Sequence, residues 1–158
     1  MSYTRDIGEI TGRYRPVGDV EHSTLGAGTV ARYVATGEVT NGQFGLFEWD
    51  MPHGAGTTAA HFHKTFSESF YITSGTVRLF NGQAWVNAAK GDFFYVPQGG
   101  IHAYHNGSGS RASMLVLFAP GAPREEYFRE LASISAAGRS LSEDEWTDLW
   151  ARYDQYRA

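Results

Sequence analysis

From about Thr29 to Ala119 the chain is a succession of short apolar-rich runs separated by turn residues. The runs are Val30–Thr36, Gln43–Asp50, Thr58–His63, Glu68–Thr73, Thr76–Phe80, Gln83–Asn87, Asp92–Val96, Ile101–His105 and Ala112–Phe118. They are rich in Val, Phe, Tyr and Thr, which fit a pleated, half-buried surface, so each is expected to be a strand. Asn81-Gly82, between GTVRLF and QAWVN, is the pair expected at the centre of a two-residue hairpin. Many short strands at this spacing predict a sandwich or a small barrel.

The pattern changes after Pro120. In GAPREEYFRELASISAAGR, Pro123 suits a first helical position and Glu125 and Glu126 suit a first turn. Tyr127, Phe128, Leu131 and Ile134 then recur at helical spacing, and Gly138 is the expected stop. A second helix is expected in LSEDEWTDLWARYDQY. Ser142 and Glu145 form a capping box there, Leu141 and Trp146 a hydrophobic staple, and Trp146, Leu149, Trp150 and Tyr153 one face. Both helices are expected to pack outside the β unit or on a second subunit. Residues 1 to about 26 read as an N-terminal arm with room for one short strand. Neither a repeat nor a long linker divides the chain. One domain is expected over 1–158, with the β unit at about 27–119 and the helical segment at about 122–156.

Composition removes several function classes. The chain has 158 residues, a net charge of −4 and no cysteine. Without a basic footprint, nucleic acid is not an expected partner. Without cysteine, disulfides and thiolate chemistry are excluded. The first residues carry no apolar run of the signal-peptide kind, and no stretch approaches the ~18 apolar residues of a membrane span. The expectation is a cytoplasmic protein whose partner is a small molecule or another protein chain.

Chemistry concentrates in two stretches. In HFHKTFSESFYITSG, residues 61–75, His61 and His63 are two apart. On a strand they project from one face, with Cβ atoms roughly 6.5–7 Å apart, so both imidazoles can converge on one ion. Lys64 to Ser67 can turn the chain and bring Glu68 back beside them. A lone His-x-His pair is more often polar surface than a metal site. The second stretch changes that balance. In GDFFYVPQGGIHAYHN, residues 91–106, Pro97 to Gly100 is a turn by composition and delivers His102 to the start of a strand.

These stretches resemble the two motifs of the cupin superfamily. His61, His63, Glu68 and Gly75 match the first motif; Gly91, Pro97, Gly99, His102 and Asn106 match the second. Fifteen residues separate Gly75 from Gly91, as in small microbial cupins. One departure is Ala55, where the first motif has glycine, although Gly54 and Gly56 flank it. The resemblance implies an all-β double-stranded β-helix, a jelly-roll barrel, here followed by two C-terminal α-helices. It also implies His61, His63, Glu68 and His102 as ligands of one divalent transition metal per chain. Fe, Mn, Ni, Co, Cu and Zn all suit three nitrogens and one oxygen.

SFYITSGTVRLF and PREEYFREL further resemble the quercetin dioxygenase-like cupins. The expected function is therefore a metal-dependent dioxygenase acting on a phenolic or enolic small molecule, flavonol- or polyketide-like, with O2 as co-substrate. A non-oxidative cyclase or isomerase and a non-catalytic binding cupin stand as alternatives. Glu68 is the candidate catalytic residue, as ligand, base or both. Tyr104, Phe70, Phe44 and Trp49 are candidates for a substrate pocket, together with Leu46, Phe47 and Ile72, against the plainer reading that each is core. Tyr104 should share the face of His102 and His105 should face away. His53 is a possible pocket rim, and His22 lies in the arm; surface is the plainer reading for all three histidines. Exposed strand edges and aromatic helices suggest a homodimer.

Overall fold

The computed structural model describes residues 2–158. Among the described residues there are eleven strands: β1 (His22–Thr24), β2 (Val30–Ala35), β3 (Gly45–Met51), β4 (Gly56–Phe62), β5 (Ser67–Ser74), β6 (Thr76–Phe80), β7 (Trp85–Ala89), β8 (Phe93–Val96), β9 (His102–His105), β10 (Ala112–Ala119) and β11 (Tyr156–Arg157). Two helices, α1 (Arg124–Ala136) and α2 (Glu143–Arg152), lie between β10 and β11. The strands form a six-stranded sheet, ordered β1-β2-β3-β10-β5-β8, and a five-stranded sheet, ordered β11-β4-β9-β6-β7. All pairings are antiparallel.

Side-chain alternation builds the core. Gly45, Phe47, Trp49 and Met51 face inward from β3, and Ala112, Met114, Val116 and Phe118 face inward from its neighbour β10. The edge-on packing of Phe47 against Tyr33 and Phe118, both 5.6 Å between centroids, ties β2, β3 and β10 together. Gly75, between β5 and β6, has a φ of +69°, and a Cβ there would lie 2.6 Å from the Arg111 carbonyl oxygen. That close approach lets the chain pass directly from the six-stranded to the five-stranded sheet.

The expected runs are all strands: Thr76–Phe80 has its expected bounds, and the others differ by one or two residues at one end or both. The β6–β7 hairpin turns one residue later than Asn81-Gly82 suggests. Asn81 donates to the Ala84 carbonyl at 3.1 Å, so Gly82 and Gln83 are the central residues, and Gly82 takes the positive φ of +91°. The Asn81 side chain accepts the amides of Gln83 and Ala84, which makes it a flank of the turn. At α1, Pro123 is the residue before the first helical position. At α2, the Ser142–Glu145 capping box forms in both directions.

The helices do not lie on the outside of the barrel. Phe128 of α1 packs at 5.2 Å from Phe47 and 4.7 Å from Trp49, on inward-facing residues of β3. Trp150 of α2 lies 6.4 Å from the His61 ring. The chain then returns as β11, which pairs Tyr156 with Phe62 and Arg157 with His61. Among the described residues, no helix is long and apolar enough to cross a membrane.

Candidate metal centre

Two sheets contribute to one buried point. His61 on β4 pairs directly across the five-stranded sheet with His102, the first residue of β9. Their rings are 4.4 Å apart between centroids. His63 follows the end of β4, and its ring is 5.3 Å from each of the other two. Glu68 comes from the opposite sheet, at the start of β5, where it pairs with Val96 and Phe118. One donor atom from each of the four residues lies within 4.8 Å of every other, and all four residues are buried.

The turns that deliver these residues are fastened to one another. Gly99 donates its amide to the His63 carbonyl at 2.7 Å, which joins the two histidine-bearing stretches. Asn106 is fully buried and donates to the carbonyls of Met51 and Ser110, at 3.0 and 2.8 Å. It is therefore a structural tie between the end of β3 and the loop before β10. Ala55 keeps an ordinary backbone, while Gly54 and Gly56 take φ values of +81° and +105°. A Cβ on Gly56 would lie 2.6 Å from the Tyr104 carbonyl oxygen. The glycines flanking Ala55 thus meet the backbone demands of this loop.

The hydrogen bonds select the ligating nitrogens. Nδ1 of His61, His63 and His102 faces the carbonyl of Ala59, Asp154 and Gly100, at 3.0, 2.7 and 3.0 Å. An imidazole donating through Nδ1 presents, when neutral, a lone pair at Nε2. Nε2 of His63 and His102 both face Glu68 Oε2, at 3.1 and 2.8 Å. Lone pairs aimed at a carboxylate oxygen repel unless a cation or an added proton lies between them. Burial pushes the His102 pKa down, but its contact with Glu68 outweighs burial and holds it above the usual value. Burial likewise pushes Glu68 up, and the contacts with His102 and His63 hold it well below the ordinary carboxylate range. Burial drives His61 down to about 3, so it presents a neutral ring at neutral pH. Three imidazole lone pairs and one ionised carboxylate, each backed by a hydrogen bond or a buried wall, fit a borderline divalent cation.

The site opens into a cavity of about 640 Å³. His61 and Glu68 form part of its lining. Trp49 and Tyr104, both expected in a pocket, line it too, with the Trp49 indole donating to the Tyr104 hydroxyl at 3.2 Å. Burial holds the Tyr104 pKa above its usual value, so its hydroxyl stays protonated. Phe70 is core behind the lining, 6.0 Å from the His102 ring and 5.8 Å from Tyr104. Phe47 and Ile72 are likewise fully buried core. Phe44 does not reach this cavity. It precedes β3 and borders a separate surface depression with Thr11, Arg13 and Val39, because inward alternation in β3 starts only at Gly45. Leu46 falls on the other face of β3, between the inward-facing Gly45 and Phe47. His53 is exposed and bonded to the Ser108 carbonyl, away from the lining; His22 is also exposed, and His105 is half-buried opposite Gly56 and Arg78.

Leu25 to Thr29 and Gly56 to Ala59 contribute part of the remaining wall, and the C-terminal segment contributes most of it. Tyr127, Phe128, Leu131 and Ile134 of α1 and Trp146 and Trp150 of α2 face the cavity. Their helical spacing is plain in the sequence, but the surface they cover is not. Arg124 stands one turn before Tyr127 and Phe128, on the same face, and a cation on an apolar stripe is a signal for a pocket residue. Asp154 gives no such signal. Besides accepting from His63 through its backbone, its carboxylate accepts from the amide and hydroxyl of Thr65, at 2.8 and 2.6 Å, and from the amide of Lys64. Its φ of +53° makes glycine the substitution that removes only the carboxylate. We expect Asp154→Gly to free the loop carrying His63 and weaken metal binding by about tenfold, the lower end for a residue that orients a ligand. A competition titration against a chromogenic chelator measures this; an unchanged dissociation constant would show that the carboxylate tether does not hold the ligand.

Comparison with known proteins agrees with the fold. Residues 47–118 match the family model described as Cupin domain. No curated protein sequence matches the chain. Several solved structures share its fold. A sugar phosphate isomerase from a cupin superfamily, from Silicibacter pomeroyi, superposes with a TM-score of 0.59 at 20% identity, over 68% of this chain and 75% of that one. KdgF from Halomonas sp. gives 0.63 at 16% identity, over 72% and 99%. The polyketide cyclase RemF from Streptomyces resistomycificus gives 0.58 at 19% identity, over 69% and 80%. The chain has a cupin fold, with its cupin domain match at residues 47–118 and a buried His61, His63, Glu68 and His102 set that could hold a metal ion.

Proposed function

We propose that this protein is a metal-dependent enzyme acting on a flat phenolic or enolic small molecule, and that it works as a dioxygenase. One observation carries the reading: a buried set of three imidazoles and a carboxylate opens onto an aromatic cavity of about 640 Å³. His61, His63, His102 and Glu68 would hold the ion. When bound, a divalent ion there supplies Lewis acidity and, if redox-active, a path for electrons to O2.

The chain's own groups divide the remaining tasks. Glu68 uses Oε2 toward the histidines, and its side chain borders the cavity, which leaves Oε1 to accept the proton of a substrate hydroxyl. Trp49, Phe118 and Phe128 offer faces to a planar ring. Tyr104 donates a hydrogen bond to an oxygen of the substrate. The helices and β11 limit water around the ionised substrate.

A non-oxidative reading, cyclisation or isomerisation through the same enolate, draws support from the names of two fold neighbours, an isomerase and a polyketide cyclase. An oxygen electrode separates the two. With the metal-loaded protein and a panel of flavonols and 1,3-diketones, the dioxygenase reading expects O2 uptake matching substrate loss. Substrate conversion that proceeds equally under argon would replace it with the non-oxidative one.

A further inference from the structure

Among the described residues, three arginines line the cavity, and Arg124 is the one that no carboxylate pairs, since Arg139 meets Glu145 and Arg157 meets Glu143. Arg124 opens α1, lines the cavity and is 4% exposed. It donates through Nη1 to the Tyr153 carbonyl at 2.8 Å and through Nη2 to the Gln155 side-chain oxygen at 3.2 Å, both neutral acceptors. Its Nε–H is buried and has no partner. Among the described residues Arg124 takes part in no ion pair. The acids that act on it through space are committed elsewhere, Glu68 to the histidines and Asp154 to Lys64 and Thr65.

Aromatic faces surround this charge. The guanidinium carbon is 4.5 Å from the Tyr127 centroid and 5.3 to 5.4 Å from those of Phe118, Phe66 and Phe128. Such faces attract a cation without neutralising it. A buried unpaired charge is costly, and one on a cavity wall can be balanced by what enters the cavity. With a divalent ion present, the ion, Glu68 and Arg124 would sum to two positive charges in a low-dielectric space. That field favours an anion.

We propose that Arg124 is the recognition residue for an ionised acidic group of the substrate, which makes the substrate class an aromatic acid. Its ring lies against Trp49, Phe118 and Phe128, and its charged oxygen approaches Arg124. The substrate class rests on the proposed enzyme reading; the anion site itself does not require it.

The test is binding of 2-naphthoate and its uncharged isostere 2-naphthamide, followed by the fluorescence of Trp49, Trp146 and Trp150. The protein as purified is compared with Arg124→Met and Arg124→Lys, with circular dichroism confirming the fold of each. We expect the wild type to prefer the naphthoate by about tenfold or more. Arg124→Met should lower that preference at least fivefold with naphthamide binding unchanged, and Arg124→Lys should keep most of it. A preference that survives intact in Arg124→Met, or equal loss for both probes, overturns the proposal. If Arg124→Met does not fold, chelator-treated wild type decides: a retained preference supports the site and equal binding overturns it. Metal titration of the same samples reads the metal centre separately. Failure there with a retained Arg124-dependent preference would remove the enzyme reading and leave the anion site.

Discussion

His61→Ala and His102→Ala are each expected to lose most bound metal, with affinity falling by about a hundredfold or more, while the barrel still folds. Each substitution removes one of four converging donors and leaves the other three without a closed set. The fold should survive because the main apolar contacts lie elsewhere, in Phe47, Met114, Val116 and Phe118 between β3 and β10. The two positions also test each other, since His61 and His102 are cross-strand partners from opposite halves of the chain's cupin match. Plasma mass spectrometry should find about one ion per wild-type chain and far less in either variant. A thermal shift gives an independent reading. An ion at a hundred times its dissociation constant stabilises the wild type by about 2.7 kcal/mol. For a chain of this length that is roughly 5–10 °C in Tm. The variants should show almost none of it. Full metal occupancy in both would sink the ligand set.

Phe128→Ala should produce the largest loss of stability, about 3–5 kcal/mol, as for other buried phenylalanines. Phe128 is 3% exposed and meets Phe47 and Trp49 of β3 and Phe118 of β10. Few neighbours can collapse into the space it leaves, because it already borders the cavity. The expected fall in Tm is on the order of 10 °C. Metal content should stay near that of the wild type, because none of the four ligands belongs to α1. Aromatic ligands should bind more weakly, since one face of their slot is gone. A Tm unchanged by the substitution would mean that α1 is not docked on the barrel; a normal Tm shift with metal loss would mean that α1 supports the ligands directly.

These experiments separate two kinds of residue that the chain itself treats differently. The barrel strands, the Ser142 cap, the paired histidines and Glu68 were legible because each leaves a local signature. Strands alternate every second residue, caps act over three, and two ligands on one strand are two apart. His102 needed a second stretch, which its own turn marks through Pro97 and Gly99. The pocket was legible only in part. Trp49 and Tyr104 point into it, whereas Phe70 lies one layer behind and Phe44 lies outside, because composition does not say where along a strand the inward face begins.

By itself, then, the sequence determined the nine strands from β2 to β10 and the two helices after them, the cupin resemblance and the four residues able to meet at one point. Only the tertiary structure decided that the C-terminal helices close the cavity, that β11 runs beside His61, and that Asp154 holds His63 from 91 positions away. It also decided that Arg124 has aromatic faces and no acid beside it. The physical reason is range. Backbone periodicity and capping are set by neighbours within a turn, while an apolar helix face carries no record of which surface it will cover. That choice belongs to the packing of the whole chain.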